Sequence, residues 1–235
     1  MEVLGIIIAR KGSKGVPGKN VKFINGRPLI SYTIDSAKKS KLITKLILST
    51  DCDDAKKIAI NSDIEVPFKR PSYLSKDDTP GLPVIKHAVD FLRANQNYRP
   101  DLVIVLQPTS PMRTEFDIDD AISLLISSKS DSVVSVVKAE HSVNPFSVMQ
   151  LNKEKFLTPF LEFDEVNNLR QKKPIFYARN GAIYAFTFEC LINKNSIYGD
   201  LITPYFMEKK KSFDIDDYVD WEIVEYFLRK EENEK

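Results

Sequence analysis

The sequence predicts an α/β fold: a Rossmann-like, mainly parallel sheet with helices on both faces. Strand-like and helix-like runs alternate along the first 137 residues, which is the pattern of parallel strands joined by crossover helices. The strands are continuously apolar, as expected where helices cover both faces of a sheet. A chain of 235 residues suits one domain, and we expect a single domain over residues 1–235.

The elements follow in a regular order. The strand-like runs of the first half are VLGIIIA, TKLILST, DLVIVLQ and DSVVSVV. The helix-like runs are PLISYTIDSAKKS, DDAKKIAINS, GLPVIKHAVDFLRAN and EFDIDDAISLLISS, with apolar residues spaced near 3.6. After residue 178, NGAIYAFTF predicts another strand, and SFDIDDYVDWEIVEYFLRKEE predicts an acidic turn followed by an amphipathic helix.

The alternation breaks between residues 138 and 178, where we expect an excursion of irregular chain or a hairpin. Its aromatic residues are Phe146, Phe156, Phe160 and Phe163. So many aromatics are unusual on a free surface loop. The excursion is therefore predicted to mediate dimerisation, reaching the partner subunit of a homodimer.

Composition excludes several classes of protein. The formal charge of +1 does not favour non-specific nucleic-acid binding, which needs a strong basic excess. No apolar run reaches the ~18 residues of a membrane span, and the first apolar run is interpreted as a strand rather than a signal peptide. Cys52 and Cys190 are far apart and are expected to be free thiols. These features predict a cytoplasmic protein.

The first strand runs into a short basic, glycine-rich loop within IIIARKGSKGVPGKN, residues 6–20. Its glycines are Gly12, Gly15 and Gly18, and its cations are Arg10, Lys11, Lys14 and Lys19. Glycines allow the backbone to approach a ligand closely, and ligands of such sheets bind beyond the carboxyl ends of the strands. The loop matches neither GxxxxGK[ST] nor GxGxxG, which excludes a Walker-type loop and a dinucleotide fingerprint. It predicts an anion site.

Two further polar motifs follow strands. STD, residues 49–51, is interpreted mainly as a helix cap, with Thr50 or Asp51 capping the helix DDAKKIA. LQPTSPMRT, residues 106–114, combines hydrogen-bonding side chains, two prolines and the cation of Arg113 at a strand end. A loop this rich in polar groups predicts a binding function.

The acidic run FDIDD suggests a metal site. Residues i and i+2 of an extended chain face the same side, so Asp214 and Asp216 could share one Mg²⁺. The alternative is an acidic N-terminus that complements the last helix, and the two readings have even weight. Asn180 and Gly181, taken alone, indicate only a turn.

Six motifs together resemble those of the acylneuraminate cytidylyltransferases, the CMP-sialic acid and CMP-nonulosonic acid synthetases. In order they are ARKGSKGVPGKN, STD, RPSYLSKDDTP, LQPTSPMRT, RNGAIYA and SFDIDD. The resemblance runs from about Gly5 to Leu228. It implies transfer of CMP from CTP to the anomeric hydroxyl of a nonulosonic acid, with release of pyrophosphate. It also implies a homodimer and Mg²⁺ as cofactor.

The resemblance assigns roles by motif position. Nucleotide-binding residues would be Arg10, Ser13, Lys14, Lys19, Asn20, Arg70 and Asp77. Sugar-binding residues would be Gln107, Thr109, Arg170, Asn180 and Gly181, with Arg170 meeting the sugar carboxylate and the excursion near the sugar site. Asp214 and Asp216 would bind the metal, and Arg10, Lys19 and Asp216 would be catalytic.

The identity of the sugar stays open at this stage. Sialic acid enzymes often read EHHPxK at the start of the excursion, whereas this chain reads EHSVNPFSV. Neuraminic, legionaminic, pseudaminic or another nonulosonic acid would fit. The alternative functions are a cytidylyltransferase for 3-deoxy-octulosonic acid and a catalytically inactive nucleotide-binding module. A nicotinamide dehydrogenase is disfavoured because the fingerprint is absent.

Overall fold

A six-stranded sheet with the order β10-β6-β9-β5-β1-β4 organises the computed structural model, which describes residues 1–161 and 174–233. Its strands are β1 (Val3–Ala9), β4 (Lys45–Thr50), β5 (Leu102–Leu106), β6 (Ser132–Lys138), β9 (Tyr177–Thr187) and β10 (Ile202–Phe206). Two two-stranded ribbons lie outside it: β2 (Phe23–Ile24) with β3 (Arg27–Pro28), and β7 (Met149–Leu151) with β8 (Leu157–Pro159).

Six α-helices occur in the described residues. They are α1 (Leu29–Lys39), α2 (Asp53–Asn61), α3 (Gly81–Gln96), α4 (Glu115–Ser128), α5 (Phe188–Asn193) and α6 (Tyr218–Asn233). Side chains of α1, α2 and α4 share one buried apolar cluster, and side chains of α3 and α5 share another. The sheet therefore has helices on both faces, as predicted.

The predicted mainly parallel sheet is confirmed, and β9 is its antiparallel strand, pairing with β5 on one side and β6 on the other. The chain enters β9 from the excursion rather than through a crossover helix, so the right-handed parallel connection does not apply to it. The sequence interpretation missed β10 and α5. Strand β10 is short and lies at the sheet edge, where alternate side chains are exposed, so it lacks the continuous apolar run of the inner strands.

A third apolar cluster places the site loops. Val16 of the opening loop, Ile215 of the acidic run and Trp221 of α6 are all buried in it. Burial of Ile215 fixes which way its neighbours face, because side chains alternate along an extended chain. Asp214 and Asp216 consequently face away from this cluster.

The excursion forms a small antiparallel hairpin of β7 and β8 next to a short 3₁₀ turn. Phe156 and Phe160 are exposed there, whereas the ring of Phe146 packs on Phe176 with centroids 6.0 Å apart. Phe163 and Arg170 lie outside the described residues. Within residues 1–161 and 174–233, no helix combines the length and apolar character needed to cross a membrane.

Candidate nucleotide site

A cavity of about 320 Å³ opens beyond the carboxyl ends of β1 and β5. Strands β4 and β5 flank β1 on opposite sides, so this is the point where the strand order reverses and where ligands of open α/β sheets bind. The lining residues come from four parts of the chain. They are Ile8, Arg10, Gly12, Ser13, Lys19, Asn20, Arg70, Leu74, Lys76, Asp77, Thr79, Gly81, Val84, Gln107, Pro108, Thr109, Asp214 and Asp216.

The opening loop is held in shape by its own polar groups. The buried Asn20 side chain donates to the Arg10 carbonyl oxygen at 2.9 Å, which ties the two ends of the loop together. The Lys11 amide donates to the Asp51 carboxylate at 2.8 Å, which ties the loop to the end of β4. The loop is therefore fixed before any ligand arrives, and its cations Arg10 and Lys19 reach the cavity.

The STD motif braces this loop rather than capping a helix. Helix α2 has Cys52 at its N-cap, with no side-chain capping bond, so the predicted capping role of Thr50 or Asp51 is wrong. The Thr50 hydroxyl instead accepts from the Cys52 amide at 3.0 Å. The Asp51 carboxylate is engaged by the Lys11 amide, which the tertiary fold brings to it.

Arg70 lines the cavity from a buried position. Its Nε donates to the Ser49 hydroxyl at 3.1 Å, and its guanidinium also contacts the Ser49 carbonyl. Burial lowers the pKa of Arg70 to about 10, which leaves the side chain charged at neutral pH. The first residue of the STD motif thus orients a cation towards the predicted nucleotide site.

Asp77 faces the opening loop across the cavity. One of its carboxylate oxygens pairs with Arg10, and the other lies 3.5 Å from Lys14 Nζ. The hydrogen bond from Arg10 holds the pKa of Asp77 below its ordinary value. Lys14 extends into solvent and does not line the cavity, whereas Ser13 does.

The acidic run lies outside any helix or strand and closes the other side of the cavity. The Ile215 amide donates to the Thr109 carbonyl at 2.9 Å, and Lys19 Nζ donates to the Ile215 carbonyl. Lys19 Nζ also lies 3.7 Å from the Asp216 carboxylate. Both Asp214 and Asp216 line the cavity, so the alternation inferred from the sequence does place both carboxylates on one site.

Other residues form the start of helix α6. The Asp217 carboxylate accepts from the Val219 amide at 2.8 Å and the Asp220 amide at 3.0 Å. Asp220 accepts in turn from the Asp216 and Asp217 amides. The helix-complementing role considered for the acidic run therefore falls to Asp217 and Asp220.

Asp214 is half-buried on the cavity wall. The Ser110 hydroxyl lies 3.5 Å from its carboxylate, and a Cβ on Gly181 would stand 3.2 Å from it. Gly181 has φ +75°, so both its conformation and this close approach require glycine. Burial, helped by the nearby Asp216 charge, raises the pKa of Asp214 despite the hydrogen bond from Thr109.

The structure separates the residues predicted to bind the sugar. Gln107 and Thr109 line the cavity, whereas Asn180 is not among the lining residues. The Asn180 amide donates to the Ser212 hydroxyl at 2.9 Å, and its oxygen accepts from the Ser135 hydroxyl. Asn180 thus ties β6 and β9 to the chain just before the acidic run.

Arg113 was interpreted as a cation of the LQPTSPMRT loop, but it is fully buried. It donates to the Ala182 carbonyl at 2.7 Å and to the Thr33 hydroxyl at 2.9 Å. Burial lowers its pKa to about 10. Its role is to hold this loop against β9 and α1, so the loop's charge does not reach the cavity.

Sequence reasoning left out some lining residues, among them Lys76 and Thr79. Both lie within RPSYLSKDDTP, between Arg70 and the start of α3. The signal that could have identified them is the motif itself, because Arg70 and Asp77 of the same motif were already assigned to the nucleotide site.

The acidic pair fits a hard divalent cation. Within the described residues no group of three or more His, Cys, Asp or Glu side chains is arranged to hold a metal ion. Mg²⁺ is usually bound through one or two carboxylates, with phosphate and water oxygens completing its shell. Asp214 and Asp216 supply two such carboxylates on one cavity, and they are the residues that could hold the ion.

Comparisons with known proteins agree with this geometry. A family model described as cytidylyltransferase matches residues 4–234. The flagellin modification protein B of Campylobacter coli is 34 % identical over 237 residues, covering 99 % of this chain and 97 % of the relative. The CMP-N,N'-diacetyllegionaminic acid synthase of Campylobacter jejuni is 32 % identical, covering 97 % and 95 %. The N-acylneuraminate cytidylyltransferase of Streptococcus agalactiae is 30 % identical, covering 99 % of this chain and 56 % of the relative.

The fold has solved counterparts. A CMP:2-keto-3-deoxy-manno-octonic acid synthetase complexed with CTP superimposes with a TM-score of 0.70 at 15 % identity. The match covers 98 % of this chain and all of that one, and it supports the Rossmann-like architecture. Together with the family match over nearly the whole chain, the cavity described above places this chain in the cytidylyltransferase family.

Proposed function

We propose that this protein transfers CMP from CTP to the anomeric hydroxyl of a nonulosonic acid and releases pyrophosphate. The observation that carries the proposal is the meeting of Arg10, Lys19, Asp214 and Asp216 in one cavity at the carboxyl edge of the sheet. A relative named CMP-N,N'-diacetyllegionaminic acid synthase, matched over 95 % of its length, and an N-acylneuraminate cytidylyltransferase, matched over 56 % of its length, support the substrate class.

The cations of the opening loop would hold the triphosphate and stabilise its leaving group. Phosphoryl-group chemistry of this kind depends mainly on positioning and on charge stabilisation, because the protein forms no covalent bond. Arg10 and Lys19 lie on the cavity wall, and Gly12 lies there with them. Ser13, Lys14 and Asn20 shape or extend this subsite, while Arg70 would contact the nucleotide from the β4 side.

The acidic run would hold the cofactor. When bound, Mg²⁺ would polarise the α-phosphate and lower the pKa of the attacking hydroxyl. The chain's own contribution is to fix Asp214 and Asp216 against Thr109 and Gly181, and to keep Lys19 beside Asp216.

The sugar would enter beside the loop that follows β5. Gln107 and Thr109 present hydrogen-bonding groups to the cavity there. Gly181 would act indirectly, through its contact with Asp214. Asn180 would also act indirectly, through its hydrogen bond to Ser212. Arg170 stays a prediction for the sugar carboxylate, since it falls outside the described residues.

We further propose a cytoplasmic homodimer that forms through the excursion. The exposed apolar side chains there include Met149, Leu151, Phe156, Leu157 and Phe160. Contiguous exposed apolar surface commonly marks a protein interface. A partner subunit would cover these side chains.

The other functions have less support. A catalytically inactive module would have no need to bring both aspartates to the cavity. The match to an octulosonic acid enzyme is at 15 % identity and concerns the fold, so it does not favour that sugar.

Pyrophosphate release is the direct test. The assay combines one nucleotide with one sugar acid at a time. The nucleotides are CTP, ATP, GTP and UTP, and the acids are neuraminic, legionaminic, pseudaminic and 3-deoxy-octulosonic acid. We expect CTP to be used well ahead of the other nucleotides, with a nonulosonic acid as acceptor. Equal release from all four nucleotides, or sole use of the octulosonic acid, would contradict the proposal. Mass spectrometry of the CMP-sugar confirms the acceptor.

A further inference from the structure

Asp77 carries the wrong charge for a residue that contacts a triphosphate. It lies between the 3₁₀ turn Ser72–Leu74 and helix α3, and its side chain lines the same cavity as Arg10 and Lys19 of the opening loop. A carboxylate in this position repels a phosphate anion and attracts the same cations. Its presence therefore needs an explanation other than direct nucleotide binding.

The contacts of Asp77 supply that explanation. Its two oxygens engage two different cations of the opening loop, one pairing with Arg10 and the other standing 3.5 Å from Lys14 Nζ. Two oxygens on one centre that bridge two cations reproduce the way neighbouring phosphate oxygens would contact them. Among the described residues, Asp77 is the acidic residue that forms an ion pair with Lys14.

The ion pair between Arg10 and Asp77 can break as well as form. Roughly a third of the Arg10 side chain and two fifths of the Asp77 side chain are exposed, so water and ions reach the contact. Exposed ion pairs are weak, and a polyanion can displace them. The Asp77 carboxylate is ionised at neutral pH, as an ordinary aspartate is, so it is available to re-form the contact.

We propose that Asp77 is an internal competitor for the pyrophosphate subsite, holding Arg10 and Lys14 when the subsite is empty. Binding of a polyphosphate releases both cations from Asp77, and departure of pyrophosphate returns them. Because only the open fraction of the protein binds, the contact weakens the apparent affinity for polyphosphate and favours product release. This inference rests on the proposed function, since it takes Arg10 and Lys14 as phosphate ligands.

Calorimetric titration with metal-free inorganic pyrophosphate tests the idea on the full-length chain. Asp77→Asn keeps the size of the side chain and removes its charge. We expect it to bind pyrophosphate about three- to tenfold more tightly than wild type, the range that weak exposed ion pairs allow. Asp78→Asn is the matched control, because it changes net charge equally at the next, exposed position. Its affinity should stay within about twofold of wild type.

A second background tests the contact with Lys14. In a Lys14→Ala protein, the gain from Asp77→Asn should shrink, because one of the released cations is gone. Equal or weaker pyrophosphate binding by Asp77→Asn would overturn the proposal and would leave Asp77 as a residue that orients Arg10. The same gain in Asp78→Asn would also overturn it, by showing a general charge effect.

Turnover of CTP in the same preparations separates this inference from the proposed function. Turnover by wild type together with unchanged pyrophosphate affinity in Asp77→Asn rejects the competitor alone. Tighter pyrophosphate binding by Asp77→Asn without turnover of CTP supports the competitor and rejects the proposed reaction. Absence of pyrophosphate binding in every variant rejects the subsite and the competitor with it.

Discussion

Gly15 lies directly against the main chain of Asp216: a Cβ at position 15 would stand 1.8 Å from the Asp216 carbonyl oxygen. The two residues are 201 positions apart in sequence. Their contact joins the opening loop to the acidic run. This contact, here called the seam, holds the cations and the carboxylates of the cavity next to each other. Lys19 reinforces the seam by donating to the Ile215 carbonyl.

Gly15→Ala should separate the two walls of the cavity. The new methyl group meets backbone, which cannot move aside as a flexible side chain can. We expect turnover to fall by at least about a hundredfold, which corresponds to ~2.7 kcal/mol of transition-state stabilisation. Initial rates with CTP, beside a thermal melt, provide the measurement. Gly12→Ala is the control for stability: its Cβ would meet nothing within 4 Å, so its melting temperature should stay near that of wild type. Normal turnover by a folded Gly15→Ala protein would contradict the seam.

Asp216→Asn should impair turnover without destabilising the protein. The variant keeps the shape and removes one negative ligand from the proposed metal pair. We expect near-native melting, turnover lower by at least about a hundredfold and a higher Mg²⁺ requirement. A Mg²⁺ titration of the initial rate is the measurement.

Asp217→Asn is the matched control for Asp216→Asn, since Asp217 accepts the first amides of α6. Because Asn still accepts a capping hydrogen bond, the variant should cost at most ~1 kcal/mol of stability, from the lost charge at the helix N-terminus, and leave the Mg²⁺ titration unchanged. If the rate curves of Asp216→Asn and wild type superimpose, Asp216 is not a metal ligand.

Lys19→Ala should weaken both the leaving-group subsite and the seam. The side chain is largely buried and interacts with the Ile215 carbonyl and the Asp216 carboxylate. A partly buried charge-assisted contact contributes roughly 1.5–3 kcal/mol, so kcat/KM should fall by about ten- to a hundredfold. Lys22→Ala, at a cation that sits over the Tyr218 ring on the surface, should leave kcat/KM unchanged. Unaltered kcat/KM in Lys19→Ala would remove Lys19 from the site.

Asp117→Asn should destabilise the protein in a pH-dependent way. Burial alone would raise the pKa of Asp117, but hydrogen bonds from Thr114 and Lys211 outweigh burial and hold the pKa below its ordinary value. The charged form therefore stabilises the fold above the unfolded-state pKa, and that stability is lost as pH falls through the folded-state pKa. Loss of a charge-assisted hydrogen bond costs roughly 1.5–3 kcal/mol at neutral pH.

Thermal melts of wild type and Asp117→Asn between pH 7 and pH 3 measure this effect. The difference in melting temperature should be widest at neutral pH and should narrow in acid. Glu115→Gln, in the first turn of the same helix, is the control. It should lower the free energy of unfolding by at most ~1 kcal/mol, through the lost interaction with the helix dipole. A constant difference across the pH range would show that the Asp117 charge does not matter.

The excursion should control assembly. Phe156 is 69 % exposed on the hairpin, a large apolar side chain that a partner subunit would bury. We expect light scattering to report a dimer for wild type at micromolar concentration and a monomer, or a strongly weakened dimer, for Phe156→Asp. Phe116→Asp, at an equally exposed aromatic on α4, should remain dimeric. A monomeric wild type would refute the proposed homodimer.

The sequence by itself determined the features that depend on local pattern. Continuous apolar runs identified β1, β4, β5 and β6, because strands covered on both faces have no polar side to display. The period of two along the acidic run predicted that Asp214 and Asp216 share one side, and both side chains line the cavity. Glycines and cations after β1 predicted an anion site, and Arg10, Gly12 and Lys19 of this stretch line the cavity.

The tertiary structure alone decided which partner each polar side chain takes. Asp51 braces the opening loop instead of capping α2, Asn180 bonds to Ser212, and Arg113 is buried instead of lining the cavity. It also decided that β9 runs antiparallel between β5 and β6. Each of these outcomes depends on groups that are distant in sequence. A buried polar side chain forms hydrogen bonds only with the groups that packing brings within reach. Local spacing carries no information about those partners.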